Sequence, residues 1–491
     1  MAHRGRWLND MRLIRCAVLE VSLIEIVLTP KEEVKTKIFL FRLSDFVTRQ
    51  DEVDSMLDFL GLHSVDDLFA EIPAPVRKKN TKIHGKSGEY AVVKDAKSAA
   101  SINTWNQYIN FLGSGYYDRI VPSSVDSIIS RSEFITSYTP YQPEVSQGLL
   151  QALFEYQSIM SDLTGMDVTN SSMYDGHTAL GEAVRMAHGV NGKSRVLVPS
   201  NISSTKLSVI LNYTAGLNTR IEKYRISDKT GYLDMDHLNA LVGDDVSAIV
   251  TENPNAYGIL DPNVASVSDI KKGALLISYF DPVSLALVKP PGEFGADIAV
   301  GEGQQLGIHL NYGGPYLGIF SFRREHMRKS PGRLIGETTD TNGKRAYVMT
   351  LQTREQHIRR ERATSNICTN QALMAIAALS YLAILGPSGL KAVAASTMEN
   401  SRKLRNEVTS RVKNSSAPFS GTNFSDVVLT LGKGEPEVAA SLKRNMILGG
   451  IPLNRILSSP DPQRAHDFVF SVTEKTDNVQ IERLISALEA I

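Results

Sequence analysis

Cysteine is nearly absent from this 491-residue chain, which has only Cys16 and Cys368. Two cysteines build neither a disulfide framework nor a zinc site, and their scarcity fits a reducing, cytoplasmic compartment. An excess of one charge is also missing. Lys+Arg and Asp+Glu both number 53, so no polyanion such as nucleic acid is implied as a partner. No uninterrupted apolar stretch has the ~20 residues that a bilayer demands. The window 13–28 carries Arg15, Glu20 and Glu25, and the run 372–385 is too short to span, so it reads as a buried helix. The usual signatures GxxxxGK[ST], HExxH and GxSxG do not occur. With 42% apolar residues, the chain has ample material for a large core in two or three domains.

Residues 1–45 mix basic, apolar and acidic positions without helix caps and read as an extension of unknown role. Residues 46–140 form an N-terminal helical segment, with VDSMLDFLG and then SVDDLFAEIP, the second capped by Ser64. From 144 to 163, Leu149, Leu153, Tyr156, Met160 and Leu163 recur at helical spacing, and Gly165 stops the pattern. RVLVP, TRIEKYRI, VSAIVTENP, ALLISYFD and ADIAV then read as strands separated by helices. This alternation predicts a mostly parallel sheet covered on both faces, over residues 141–386. Such sheets bind ligands at the carboxyl ends of their strands, here TENPNAYG, SYFDPVS and GEGQQLG. Beyond Pro387 a long helix (390–412), DVVLTLG, a helix, DFVFSVTE and a last helix predict a smaller α+β domain over 387–491.

Four segments carry candidate chemistry. GADIAVGEGQQLGIHLNYGGPYLG (295–318) resembles a cofactor loop, yet offers no Ser, Cys or Lys as nucleophile. Its G-x-G-x-x-x-G spacing departs from the dinucleotide fingerprint, and it does not run into a helix. SRSEFITSYTPYQPEVSQG (130–148) sets Arg131, Glu133, Tyr138, Tyr141, Gln142 and Glu144 around two stiffening prolines. That composition suits an anionic small molecule and suits a structural crossing segment equally well. SSMYDGHTALGEA (171–183) is either a phosphate-binding turn or, more often for such sequences, a capped helix start, with His177 structural. REQHIRRERATSNICTNQ (354–371) gathers four arginines ahead of Thr364, Ser365 and Asn366. The arginine forks suit a carboxylate or phosphate, or form a solvated face. Asp281, closing SYFD, holds a pyridinium nitrogen or caps the next turn.

Taken together, GYYDRIVPSSVDSIISRSEFITSYTPYQPEVSQG with its continuation to TAL180, GADIAVGEGQQLGI, YGGPYLG, PGRLIGET and LQTREQHIRRERATSNICTNQAL closely resemble the P-protein of the glycine cleavage system. The resemblance is to subunit 1 of glycine dehydrogenase (decarboxylating), in its two-chain form, and runs from about residue 50 to the end. It implies a pyridoxal 5'-phosphate (PLP)-dependent transferase fold of type I. It also implies a partner: subunit 2 holds PLP covalently on a lysine, glycine is decarboxylated there, and the aminomethyl group passes to the lipoyl arm of the H-protein. An α2β2 heterotetramer is the assembly the family suggests. In the family pattern the Schiff-base lysine follows an Asp by eight positions. Counting from Asp297 reaches Gln305, whose amide forms no imine. On this reading His177, Asp281 and Gln305 are degenerate PLP positions. Arg131, Tyr138, Tyr141, Gln142, Glu144, Thr364, Ser365 and Asn366 line a shared active site, and no residue of the chain is itself assigned a catalytic step. A non-catalytic scaffold or regulatory protein is the alternative. Gln305 argues against a stand-alone PLP enzyme.

Overall fold

The structure is a computed structural model that describes residues 50–78, 88–367 and 370–491. The extension 1–45 and both cysteines lie outside the described residues. The chain divides into two units, residues 1–97 and 98–491.

In the first unit a helix spans Gln50–Leu60 and buries Leu57. The second expected helix is a single 3-10 turn, Val65–Phe69. The Asp67 carboxylate accepts the N–H groups of His63 (3.0 Å) and Ser64 (2.8 Å), which fixes the start of that turn. Pro73 and Pro75, which interrupt helical bonding, follow shortly after it.

The second unit is built on a seven-stranded sheet. Its strands in chain order are β1 Val168–Thr169, β2 Arg195–Pro199, β3 Arg220–Tyr224, β4 Val246–Asn253, β5 Leu275–Phe280, β6 Ile298–Glu302 and β7 Gly318–Phe322. They lie in the order β1-β7-β6-β5-β4-β2-β3. All neighbours are parallel except β7, which runs antiparallel to β1 and β6. The central strands β4 to β6 are unbroken runs of buried residues, as expected for strands covered on both faces. Along β6 and β7 the side chains alternate between two cores. Ala299 and Ile319 face the cluster around the helix Gln147–Thr164, whereas Val300 and Phe320 face the helix Gly176–Asn191.

The helix Gln147–Thr164 buries Leu149, Leu153, Tyr156 and Met160 and ends at Gly165, whose φ of 66° only glycine adopts readily. The two expected helices lie within Ala372–Arg411 and are separated where Gly386 leaves helical geometry and Pro387 lacks an N–H donor. By length and composition the span Ala372–Arg411 could cross a membrane. Its first half instead fills the core through Ala375, Ile376, Ala378 and Tyr381.

Toward the carboxyl terminus a three-stranded antiparallel sheet orders Asp426–Thr430, Asp467–Ser471 and Ile451–Pro452. The helices Glu435–Arg444 and Asn478–Glu489 contribute Val438, Leu442, Ile481 and Leu484 to its core. Ile109–Asn110 pairs in parallel with Ile447–Leu448 in a separate two-stranded sheet, and Ser471 N donates to Phe111 O at 2.9 Å, which ties the segment ahead of GYYDR to the carboxyl-terminal strands. That tie brings Tyr117 and Arg119 to the end of the large sheet.

Candidate functional site

The carboxyl ends of β4, β5 and β6 open onto a cleft of about 50 Å³, lined among others by Lys206, Tyr279, Asp281, Glu302, Gln305 and Asp426. The strand order creates it, because three consecutive loops leave neighbouring strands at the same edge.

Gln305 sits at its floor, 2% exposed. Its Oε1 accepts from Arg119 Nε at 2.8 Å, and its Nε2 donates to Asp281 Oδ2 at 2.6 Å. The other Asp281 oxygen accepts the N–H groups of Val283 and Ser284, both at 2.9 Å, so Asp281 caps the turn after β5 while holding Gln305. Arg119 is buried as well. It donates to Glu474 Oε2 (2.6 Å), Thr397 Oγ1 (3.1 Å) and Ser425 Oγ (3.3 Å). One guanidinium therefore joins the β6 loop, the long helix and the carboxyl-terminal sheet. Gln304 adds to the closure: its amide exchanges bonds with both backbone groups of Tyr117 (2.9 and 3.0 Å). The Tyr117 hydroxyl in turn donates to Asp426 (2.8 Å).

Glu302 occupies the end of β6. Its carboxylate accepts N–H groups from Gly176 (2.8 Å), Gln304 (2.9 Å) and Leu317 (3.3 Å). Burial pushes it up to about 8, against the pull of those three donors. Gly176 opens the helix Gly176–Asn191, so this carboxylate rests on the helix N-terminus. The contact demands glycine: a Cβ at 176 would stand 2.6 Å from the Tyr279 hydroxyl and 2.9 Å from Glu302 N. Asp175 caps the same helix through Thr178 N (2.9 Å). The segment SSMYDGHTALGEA is thus a capped helix start with a second carboxylate against its first N–H.

His177 points its edge at Tyr116, with ring centres 5.9 Å apart, and Tyr116 stacks on Tyr316 at 4.7 Å. Burial and the Lys206 charge bring His177 down to about 4, so the ring is neutral at neutral pH. A lysine does reach the cleft. Lys206 Nζ, however, lies 3.1 Å from the buried Glu252 and 3.8 Å above the centre of the Tyr279 ring, which engage it away from the floor of the cleft.

The residues present do not fit a PLP molecule in this cleft. Among the described residues the one lysine lining it, Lys206, is paired with Glu252, the Asp281 carboxylate is shared between Gln305 and the following turn, and Glu302 stands where the helix N-terminus would meet a phosphate. A space of about 50 Å³ is far below the ~300–1,000 Å³ of cofactor pockets.

The other expected site residues lie outside this cleft. Arg131 pairs with Glu133 at 2.7 Å on the surface, and Tyr138, Gln142 and Glu144 are exposed. Tyr141 is anchored from below: Arg333, 5% exposed, donates to its hydroxyl (3.0 Å) and to Thr139 Oγ1 (3.2 Å). Thr364 offers its carbonyl to Arg185 Nε (3.3 Å), Ser365 donates to Glu182 Oε1 (2.9 Å), and Asn366 is exposed. Glu302 and Gln304 were visible in the loop sequence as polar neighbours of Gln305. Arg119, Lys206, Arg333 and Glu474 were missed, and no local spacing marks them.

The Glu182–Ser365 contact gives a pH prediction. Burial raises the Glu182 carboxyl to about 7, with the Ser365 hydroxyl and Arg185 pulling the other way. A carboxyl raised on folding stabilises the fold fully below its unfolded value near 4.5, and that contribution is lost as pH rises through about 7. Glu182→Gln removes the loss. Its stability relative to the parent should rise by roughly 2 kcal/mol between pH 5 and pH 8, as read by urea unfolding at each pH. A difference that is flat with pH would show Glu182 to be ionised throughout.

Comparison with known proteins gives the family and the fold. The family model described as glycine cleavage system P-protein matches residues 45–488. A protein of Thermoplasma acidophilum named probable glycine dehydrogenase (decarboxylating) subunit 1 is 55% identical over 442 residues, covering 90% of this chain and 100% of the relative. One of the same name from Carboxydothermus hydrogenoformans is 43% identical, covering 89% and 97%. A crystal structure of glycine decarboxylase (P-protein) of the glycine cleavage system, in inhibitor-bound form, superposes with a TM-score of 0.82 at 35% identity, covering 90% of this chain and 98% of that one. A sphingosine-1-phosphate lyase of Burkholderia pseudomallei, at 14% identity with a TM-score of 0.60 over 86% of this chain and 93% of its own, shares the fold alone. The architecture is the type I fold of PLP-dependent transferases, as the family resemblance implied. The match across nearly the whole chain shows that it belongs to the glycine cleavage system P-protein family.

Proposed function

We propose that this chain is subunit 1 of a two-chain glycine dehydrogenase (decarboxylating), acting in the cytoplasm with a subunit 2 that holds the PLP. Together they decarboxylate glycine and transfer the aminomethyl group to the lipoyl arm of the H-protein, as an α2β2 heterotetramer. PLP bound in the partner supplies the electron sink for loss of CO2. The observation that carries the division of labour is Gln305, clasped between Arg119 and Asp281 in a cleft too small for the cofactor.

This chain's contribution is then to shape the partner's site. The strip Arg131–Glu144 presents Tyr138, Tyr141, Gln142 and Glu144 to solvent on a backbone stiffened by Pro140 and Pro143, with Tyr141 fixed by Arg333. Exposed aromatic and polar groups on a rigid support suit a surface that another subunit covers. Thr364, Ser365 and Asn366 are the second candidate lining. The test is co-expression with a candidate subunit 2, followed by glycine–bicarbonate exchange with lipoylated H-protein. Exchange should require both chains. Tyr138→Ala and Glu144→Ala should each lower it at least tenfold in an intact complex. Full exchange by subunit 2 alone would make this chain a scaffold, and unchanged activity and assembly in both variants would remove the strip from the site.

A further inference from the structure

A second cavity lies apart from the sheet-end cleft. It measures about 220 Å³ and is lined by Arg328, Lys329, Leu351, Arg354, Arg359 and Thr364. Four of these six residues are cationic, and none is acidic. Arg328 and Lys329 end the 3-10 helix Arg324–Lys329, Arg354 ends the turn Gln352–Arg354, and Arg359 ends the helix Gln356–Arg359. Three short elements thus deliver positive charge to one concavity.

Arg354 is fixed in place. Its Nη1 donates to the Ser330 carbonyl and to Ser330 Oγ (3.0 Å), its Nη2 to Gly332 O (3.0 Å) and its Nε to Leu351 O (3.2 Å). These acceptors are neutral and orient the guanidinium without pairing its charge, on which the Glu355 carboxylate acts through space. The nearest carboxylate along the chain, Glu355, is buried and turned toward His357 (3.5 Å) and Arg333 (3.9 Å). Among the described residues, Arg328, Lys329 and Arg359 form no ion pair. Two backbone positions that bound the segment, Leu351 (φ 54°) and Arg360 (φ 55°), hold a conformation that L residues rarely adopt. Such strain persists where the surroundings impose it, commonly beside a ligand.

Like charges converging without counter-charge are unfavourable unless an anion joins them. A monocarboxylate would neutralise only one of four, whereas a phosphate dianion presents several acceptor oxygens and matches the arginine forks. We propose that this cavity is a phosphate-binding site, taking either free inorganic phosphate or the terminal phosphate of a phosphate ester. The site rests on this chain's cations; of its lining, Thr364 also belongs to the shared-site surface proposed above.

The experiment is calorimetric titration of the full-length protein with inorganic phosphate, at ionic strength held constant with chloride. Saturable one-to-one binding is expected. The double variant Arg328→Glu/Lys329→Glu, at two exposed positions, should weaken it at least tenfold. Arg402→Glu, an equal change of sign per residue at an exposed helix position, should leave it unchanged. Phenyl phosphate displacing inorganic phosphate with comparable affinity assigns the site to an ester's phosphate, and failure to displace it assigns the site to free phosphate. Phosphate heats no larger than those of chloride, or undiminished binding in a correctly folded double variant, would overturn the proposal.

Discussion

Arg119→Ala lowers the stability of the folded chain by about 3–5 kcal/mol, the range for removing one partner of a buried ion pair. Arg119 and Glu474 are 2% and 8% exposed at the side chain, and the pair closes at 2.6 Å. Removing the guanidinium strands the Glu474 carboxylate, whose other oxygen holds only Ile120 N at 2.9 Å. It also leaves Gln305 Oε1, Thr397 and Ser425 without a shared donor. Those groups come from the loop after β6, the long helix and the carboxyl-terminal sheet, so one substitution loosens three elements. Urea unfolding should show a fall in midpoint with little change in slope. Arg119→Met combined with Glu474→Gln removes both charges and should cost clearly less than Arg119→Ala, since a buried pair is worth little against an uncharged replacement. A single variant within 1 kcal/mol of the parent would mean that Glu474 finds water or another donor, and the clasp around Gln305 would then not be rigid.

The second large effect belongs to Gln305→Lys. It installs the amine that the family resemblance leads us to expect at this position in a PLP-bearing chain. If the missing amine were the whole difference, the variant would take up PLP. The structure leads to the opposite outcome. An ammonium group at 305 faces the Arg119 guanidinium that now donates to the Gln305 oxygen, inside a site 2% exposed. Asp281 can compensate one charge only, and its second oxygen is already committed to Val283 and Ser284. Glu302 still covers the N–H of Gly176, and Lys206 remains paired with Glu252. The variant should lose about 2–4 kcal/mol of stability. After incubation with PLP and borohydride reduction, peptide mapping should find no stoichiometric label at position 305. Stoichiometric labelling there would show that the cleft opens, and the assignment of cofactor binding to the partner alone would fall.

Much of the architecture was legible because it rests on local periodicity. The run VSAIVTEN reads as a central strand from its apolar continuity, and it forms the fully flanked β4. The spacing of Leu149, Leu153, Tyr156 and Met160 reads as one helix face, and all four are buried. Misreadings came where a side chain overrode periodicity, as at Ser64–Phe69, where Asp67 bonds two preceding N–H groups and the helix stops at one turn. The two helices read on either side of Pro387 form as two, because Gly386 leaves helical geometry (φ 60°, ψ −178°) and Pro387 has no N–H to carry the bonding across.

The sequence by itself determined the family, through long motifs such as GADIAVGEGQQLGI and REQHIRRERATSN, and it put an amide at position 305. What the amide does was decided only by tertiary structure. Its two partners stand 186 and 24 positions away. The buried network that continues from Arg119 reaches Glu474, 355 positions away. Hydrogen bonds between such residues follow from strand order and domain packing, which no spacing in the chain encodes. The same holds for Glu302 on the first N–H of the helix at Gly176 and for four cations from three short elements around one cavity. Charge and donor geometry at a site depend on which loops the fold places side by side, and that arrangement appears only once the sheet is assembled.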